Sequence, residues 1–341
     1  MTEGRTPRTI LRASRRDICR GLAALPLAAA SGSLMAPTVA RAQAYPTRPV
    51  KIVLPFGAGG VADVTSRLAA ERLGDKLGQR FVIENQPSAG GINAARAVLT
   101  AQADGYTLGL VTNGTAISAA IYKALPFDPV KDFMNISTLG YFELVFVTSA
   151  ESKYATLQDF IKAAKAEPGK LNVGTIAIGS TQHLGAVLFK SVAGLDFQMV
   201  TYRNTPDAIV ALLRDDIQLL VEFPPAVRGP VQDKKARMVA SSAPKRSAVF
   251  PDLPTVQESG VPGYEVTSWN GLFAPSGTPA EVIDTVNKAM HEILSDAALK
   301  QKYLDLAVEA KASSPDELKG RLVADIKKWS DVIERAGIPK Q

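Results

Sequence analysis

Cysteine and histidine are almost missing from this chain, with 1 and 2 copies in 341 residues. The cysteine, Cys19, lies in a basic leader. The region from about residue 43 onward therefore has no thiol, no disulfide and no cysteine-ligated metal. The histidines, His183 and His291, are far apart, and His291 falls in the surface-like helical stretch NKAMHEILSD. A zinc site needs three or four clustered ligands, and none cluster here. There is no H-E-x-x-H, no G-x-S-x-G elbow and no G-x-x-x-x-G-K-[ST] phosphate loop. Ser180, Thr181 and His183 lack a visible acidic partner for nucleophilic work, and Asp215–Asp216 reads as a solvated turn. No catalysis, cofactor or metal is expected.

Long hydrophobic runs are also lacking. A membrane span needs ~20 apolar residues, and nothing after residue 42 approaches that, so the mature protein is expected to be soluble outside the cytoplasm. The net charge of +6 suggests nucleic acid until its distribution is examined. Residues 1–42 hold Arg5, Arg8, Arg12, Arg15, Arg16, Arg20 and Arg41 against Glu3 and Asp17, which leaves the remainder close to neutral. A nucleic-acid partner is not expected. The basic front, the apolar run GLAALPLAAASGSLMAP and the small-residue site ending at Ala42 have the layout of an export signal. SRRDICR resembles its twin-arginine form. Pro26 interrupts the run, and no small-residue box precedes Cys19, so neither a permanent anchor nor a lipidated cysteine is expected.

What is present is alternation. Apolar, β-branched runs (VKIVLPF, FVIEN, TLGLVTN) are separated by helical patterns (VTSRLAAERLGDKLG, INAARAVLTAQA). A second series follows: LVFVTS, TLQDFIKAAKAEP, LNVGTI, HLGAVLFKSVAG, FQMVTY, DAIVALLRDD, IQLLVEF, ARMVAS. Thr156 and Asp159 form a near-capping box in it. Such strands predict mainly parallel sheets covered by helices on both faces. The passage FPDLPTVQESGVPGYE then breaks the pattern, and VTSWNGLFAPSGTP with two long helices returns the chain to the first lobe. The expected fold is α/β with two lobes, residues 43–145 plus 268–341 and residues 146–267. They are joined by crossings near 143–147 and 268–273, with a ligand cleft between them. No repeat of solenoid period is present.

The segment KIVLPFGAGGVADVTSRLAAERLG raises a specific question. Gly57, Gly59 and Ala62 fit the dinucleotide pattern G-x-G-x-x-G/A, and Glu84 follows about 20 residues later. Yet four strand ends share this design: PFGAGGVAD, NQPSAGGIN, TNGTAIS and IAIGSTQH. Each delivers a helix N-terminus with free N–H groups, which can hold any anionic oxygen, a carboxylate as well as a pyrophosphate.

These loops, together with DGYTLGLVTN, LPFDPVKDF, GSTQHLGAVLF, FPDLPTVQESGVPGYE and WNGLFAPSGTPAEVI, resemble the substrate-binding receptors of tripartite tricarboxylate transporters, the Bug-type periplasmic proteins. The likeness runs in order through residues 45–338. It implies a two-lobed periplasmic binding fold, type II-like, that closes on a small carboxylate without metal or nucleotide. It also implies a monomer that serves integral-membrane transporter subunits. By position, it places Phe56, Gly59, Gly60, Asp63, Ala89, Gly90, Thr112, Asn113 and Thr115 on the first-lobe wall. It places Gly179, Ser180, Thr181, Gln182, His183, Tyr202, Arg203 and Glu222 on the second. Gln86, Ser88 and Arg203–Asn204 depart from the usual residues, which leaves the ligand unnamed. Two readings of Arg203 and Glu222 stay open. They pair with each other or with solvent, or Arg203 faces the cleft and forks a carboxylate while Glu222 repels a second one. The latter predicts a ligand with a polar, not doubly anionic, far end. Two other readings remain open: a binding protein that serves a sensor, and an exported NAD(P)-dependent oxidoreductase.

Overall fold

The computed structural model describes residues 45–341, and the leader with Cys19 and the Ala42 cleavage site lies outside them. Strand β1 (Val50–Leu54) feeds helix α1 (Val61–Leu77), which ends where Gly78 takes the left-handed conformation, φ 73°. Next come β2 (Phe81–Asn85), a short 3-10 turn at Ala89–Gly91, α2 (Ile92–Leu99), β3 (Thr107–Thr112), α3 (Asn113–Ile121) and β4 (Phe133–Glu143). The chain continues through β5 (Val145–Ser149), α4 (Leu157–Ala166), β6 (Asn172–Ile176), α5 (Thr181–Ala193), β7 (Gln198–Tyr202), α6 (Thr205–Leu213), β8 (Leu219–Glu222), α7 (Pro224–Gln232) and β9 (Ala236–Ser241). It closes with β10 (Thr267–Pro275), α8 (Ala280–Ser295), α9 (Ala297–Leu304), β11 (Glu309–Ala310) and α10 (Pro315–Arg335). The Thr156–Asp159 capping box starts α4, and a second box, Ser314 with Glu317, starts α10.

The strands form two sheets, one in each lobe. The first has the order β11-β4-β10-β3-β1-β2 and the second β7-β6-β8-β5-β9. The alternation predicted mainly parallel pairing. Instead both sheets are mixed. Pairing is parallel around β1 and around β6, and antiparallel where β4, β5, β9 and β10 carry the chain between the sheets. A strand arriving from the other sheet has no crossover helix to turn it parallel, so it enters antiparallel.

This order determines where a ligand can sit. From β1 the chain moves to β2 on one side and then returns to β3 on the other; β6, β7 and β8 repeat the manoeuvre. The crevice at such a reversal, outside the strand's carboxyl end, is the natural binding position of an α/β sheet. The glycine loops after β1 and β6 stand at these two points.

The crossings are tied together at Ser242, which is fully buried. Its Oγ accepts from Leu144 N at 2.8 Å, beside the first crossing, and donates to Val266 O, beside the second. Its backbone also pairs with both residues. Around this point one apolar cluster joins Phe146, Phe189 and Tyr264 to Trp269 and Trp329. Among the described residues, no helix is long and apolar enough to cross a membrane.

Candidate ligand cleft

Between the two switch points lies a cleft of about 920 Å³. That is near the upper end of the roughly 300–1,000 Å³ that ligand pockets occupy. Its first-lobe wall begins with the loop after β1. Phe56 and Gly60 line the cleft, as do Val61 and Ala62 from the first turn of α1. Gly60 is the N-cap residue, extended at φ −76°, with no side-chain cap on the helix. The first-turn N–H groups of α1 therefore remain available, and the helix dipole adds partial positive charge.

Asp63 and Gly59 hold this loop and do not line the cleft. The Asp63 carboxylate is buried and accepts from Gly59 N at 2.9 Å, from Arg67 Nε and from Asn85 Nδ2. The Arg67 hydrogen bond, assisted by those of Gly59 and Asn85, lowers its pKa to about 2. A carboxyl lowered in the folded state stabilises above the ordinary carboxylate range, and that contribution is lost as pH falls through the folded value. Acid melting curves should therefore show a fall in Tm between about pH 4 and pH 2 that Asp63→Asn lacks. Parallel curves for the two proteins would show that Asp63 does not anchor the loop.

The second loop contributes Ser88, Gly90 and Gly91. Both glycines have positive φ, and a Cβ on Gly90 would meet Tyr122 at 2.9 Å, so the close approach of this turn to α3 requires glycine there. Ala89 opens the same turn. Thr112 and Thr115 cap α3 reciprocally and face the cleft with Gly114. Asn113 is buried beside them. It accepts from Trp329 Nε1 at 2.9 Å and donates to Thr181 Oγ1 at 3.1 Å, which links the starts of α3 and α5 across the lobes.

On the second lobe, Gly179, Ser180, Thr181 and Gln182 line the cleft. Gly179 has φ 81° and packs its backbone against Ile121 of the first lobe. Ser180 caps α5 by accepting from His183 N at 3.1 Å. The other second-lobe expectations fall elsewhere. The His183 side chain faces a separate cavity of about 420 Å³ between α5 and the end of α10, and burial holds its pKa below the usual histidine value. Tyr202 packs into the second-lobe core, and Arg203 is exposed beyond the cleft. Glu222 is turned inward and is 1% exposed. It accepts from Gln182 Nε2 at 2.6 Å, Thr205 Oγ1 at 2.7 Å and Phe223 N at 2.7 Å. Alternation along β8 puts a carboxylate in the core there, and three donors satisfy it. Neither Arg203, expected to fork a carboxylate, nor Glu222, expected to repel a second one, thus lines the cleft; Gln182 faces it instead, with Glu222 behind it.

Further residues that the sequence did not single out line the walls: Ile117, Ser118 and Ile121 of α3 with Tyr122 just beyond it, Phe142, Ala177, Ile178, Phe223, Gln341, and Ser268 with Asn270 on β10. Ser268 and Asn270 are polar residues two apart in an apolar strand, a pattern that could have marked them. Not one Asp, Glu, Lys, Arg or His side chain lines the cleft among the described residues. Glu84, which a nucleotide ribose would need, is paired with Lys51 at 2.7 Å. No cluster among the described residues could hold a metal ion.

Comparison with known proteins places these features in a family. A family model described as the tripartite tricarboxylate transporter family receptor matches residues 65–338. Protein BugT of Bordetella pertussis is 31% identical over 323 residues, covering 94% of this chain and 98% of that one. Two solved structures from Rhodopseudomonas palustris are also similar. Rpa4515 with adipate is 32% identical with a TM-score of 0.75, over 86% of this chain and 99% of that one. MatC with bound malate is 29% identical with a TM-score of 0.70, over 85% of this chain and 100% of that one.

Proposed function

Because the chain belongs to the receptor family of the tripartite tricarboxylate transporters, we propose that it captures a small carboxylic acid between its lobes, outside the cytoplasm, and delivers it to integral-membrane transporter subunits. The observation that carries this reading is the cleft itself. The starts of α1, α3 and α5 converge on a cleft that, among the described residues, no charged side chain lines. An anion there is held by backbone N–H groups and helix dipoles. The adipate and malate on two similar proteins support a carboxylate over a phosphate. The acid binds unchanged, with no cofactor, to a monomeric receptor.

Binding is coupled to closure about the Ser242 tie, since an acid touching both walls favours the state in which the walls are close. A thermal-shift titration with a panel of organic acids, paired with solution scattering, tests both steps. At least one acid should raise Tm by mass action and shrink the radius of gyration. No response to any acid would refute capture, and a raised Tm at unchanged radius would refute closure.

Export follows from the leader composition, with processing near Ala42. Protein recovered from the periplasm should have an intact mass that starts near Gln43 and no alkylatable thiol. A mass that retains Met1 would contradict this.

A further inference from the structure

Resting on the carboxylate reading, we infer that the preferred ligand is a monocarboxylic acid whose remainder is apolar, an alkyl chain or a phenyl-bearing body. Two independent features of the cleft carry this.

The first is the chemistry of the walls. Phe56 on the first lobe and Ile178 on the second are 40% and 60% exposed, and both line the cleft. Large apolar side chains in this position contribute little unless something apolar comes to rest between them. Deeper in, Phe142 and Phe223 form a tilted aromatic pair with ring centres 5.1 Å apart. They join the end of β4 in the first lobe to the start of α7 in the second. Ile117 and Ile121 continue the apolar surface along α3. A hydroxylated tricarboxylate would bring several charged and polar oxygens against these residues, which cannot replace its water. An alkyl or phenyl body loses nothing there and buries the exposed lips as the lobes approach.

The second feature is Glu222. Its carboxylate is buried behind Gln182, and no cation lies within ion-pair distance among the described residues. Its two oxygens are taken up by Gln182, Thr205 and the Phe223 amide. One N–H of Gln182 is committed to it, so the far wall offers a second carboxylate fewer donors and an opposing charge in a partly desolvated site. The same acid lengthened by a second carboxylate at its far end should therefore be rejected.

Calorimetric titration of the processed protein with hexanoate, adipate, phenylacetate, citrate and hexan-1-ol tests the inference. Hexanoate and phenylacetate should each bind at least ~10-fold more tightly than adipate and citrate, and hexan-1-ol should not bind detectably. Ile178→Ser, at an exposed position, should weaken hexanoate by roughly 5- to 20-fold and change citrate little. Glu222→Gln can keep all three hydrogen bonds, with the Thr205 hydroxyl reversed, while removing the charge. It should narrow the hexanoate-to-adipate ratio to below about threefold. Adipate or citrate binding more tightly than hexanoate would overturn the inference and leave the carboxylate reading intact. Binding of no acid would overturn both. An unchanged ratio in Glu222→Gln would remove Glu222 as the cause of rejection.

Discussion

Gly60→Asp is expected to abolish ligand binding while making the protein slightly more stable. Gly60 is already in the extended conformation of an N-cap residue, and a Cβ there meets no atom within 4 Å. Aspartate is among the best N-cap residues, because its side chain accepts from the second or third N–H of the helix. In α1 those are the amides of Ala62 and Asp63, which no side chain caps at present. The new carboxylate would gain about 0.5–2 kcal/mol from the cap and the dipole. It would also occupy the amides proposed to hold the ligand and place a like charge beside it. Losing two charge-assisted hydrogen bonds at about 1.5–3 kcal/mol each corresponds to a loss of at least ~100-fold in affinity. Gly60→Asn, which caps without charge, should fall between the two. Substitutions that damage a site by unfolding it lower Tm and affinity together, so opposite signs identify competition for the helix start. Wild-type affinity in Gly60→Asp would mean that the acid binds elsewhere.

Trp329→Ala is expected to have the largest effect on stability. The indole is 1% exposed in the main apolar cluster, and its Nε1 donates to Asn113, which in turn donates to Thr181. Removing a buried tryptophan costs about 3–5 kcal/mol, or on the order of 10 °C in Tm for a chain of this size. The hydrogen-bond chain gives the substitution a second consequence. Asn113 begins α3 in the first lobe and Thr181 begins α5 in the second, so the indole sets the spacing of two helix starts that face the ligand. Ligand affinity should fall as well. Trp329→Phe separates the two effects, since it restores most of the volume while leaving Asn113 Oδ1 without its donor, at about 1–3 kcal/mol. Differential scanning calorimetry with parallel titrations should show Trp329→Phe regaining more stability than affinity. Full recovery of both would show that Trp329 only fills space.

How far the sequence foretold this molecule depended on whether a feature was local. Strands β1, β2, β3, β5 and β6 were visible because unbroken apolar, β-branched runs leave few alternatives. The Thr156–Asp159 box was visible because both partners lie within one turn. Strand β4 was missed. It carries Asn135, Ser137 and Thr138 in its interior, and the last two are tied to residues far along the chain: Ser137 Oγ accepts from Ser313 N at 3.1 Å, Thr138 Oγ1 donates to Lys311 O at 2.7 Å, and Thr138 N donates to Ser313 Oγ at 3.1 Å. Nothing near β4 in sequence announces those partners. Helix α7, PPAVRGPVQ, was not foreseen either, although two of its prolines occupy the first turn, where a missing N–H costs nothing. In the site, the glycine loops were legible because strand, turn and helix start are consecutive. Which way Glu222 and His183 point was not legible. Each sits one residue from a side chain that lines the cleft, and only the packing of α5 against β8 and α10 decides between them.

The central claim is that backbone amides at helix starts, without any charged side chain, hold the ligand's carboxylate. A crystal structure of the processed protein with the tightest-binding acid from the titrations tests this most directly. The carboxylate oxygens should lie about 2.7–3.1 Å from first-turn amide nitrogens of α1, with the body of the acid between Phe56 and Ile178. A carboxylate paired with the Arg203 guanidinium, or an acid seated in the cavity beside His183, would contradict it.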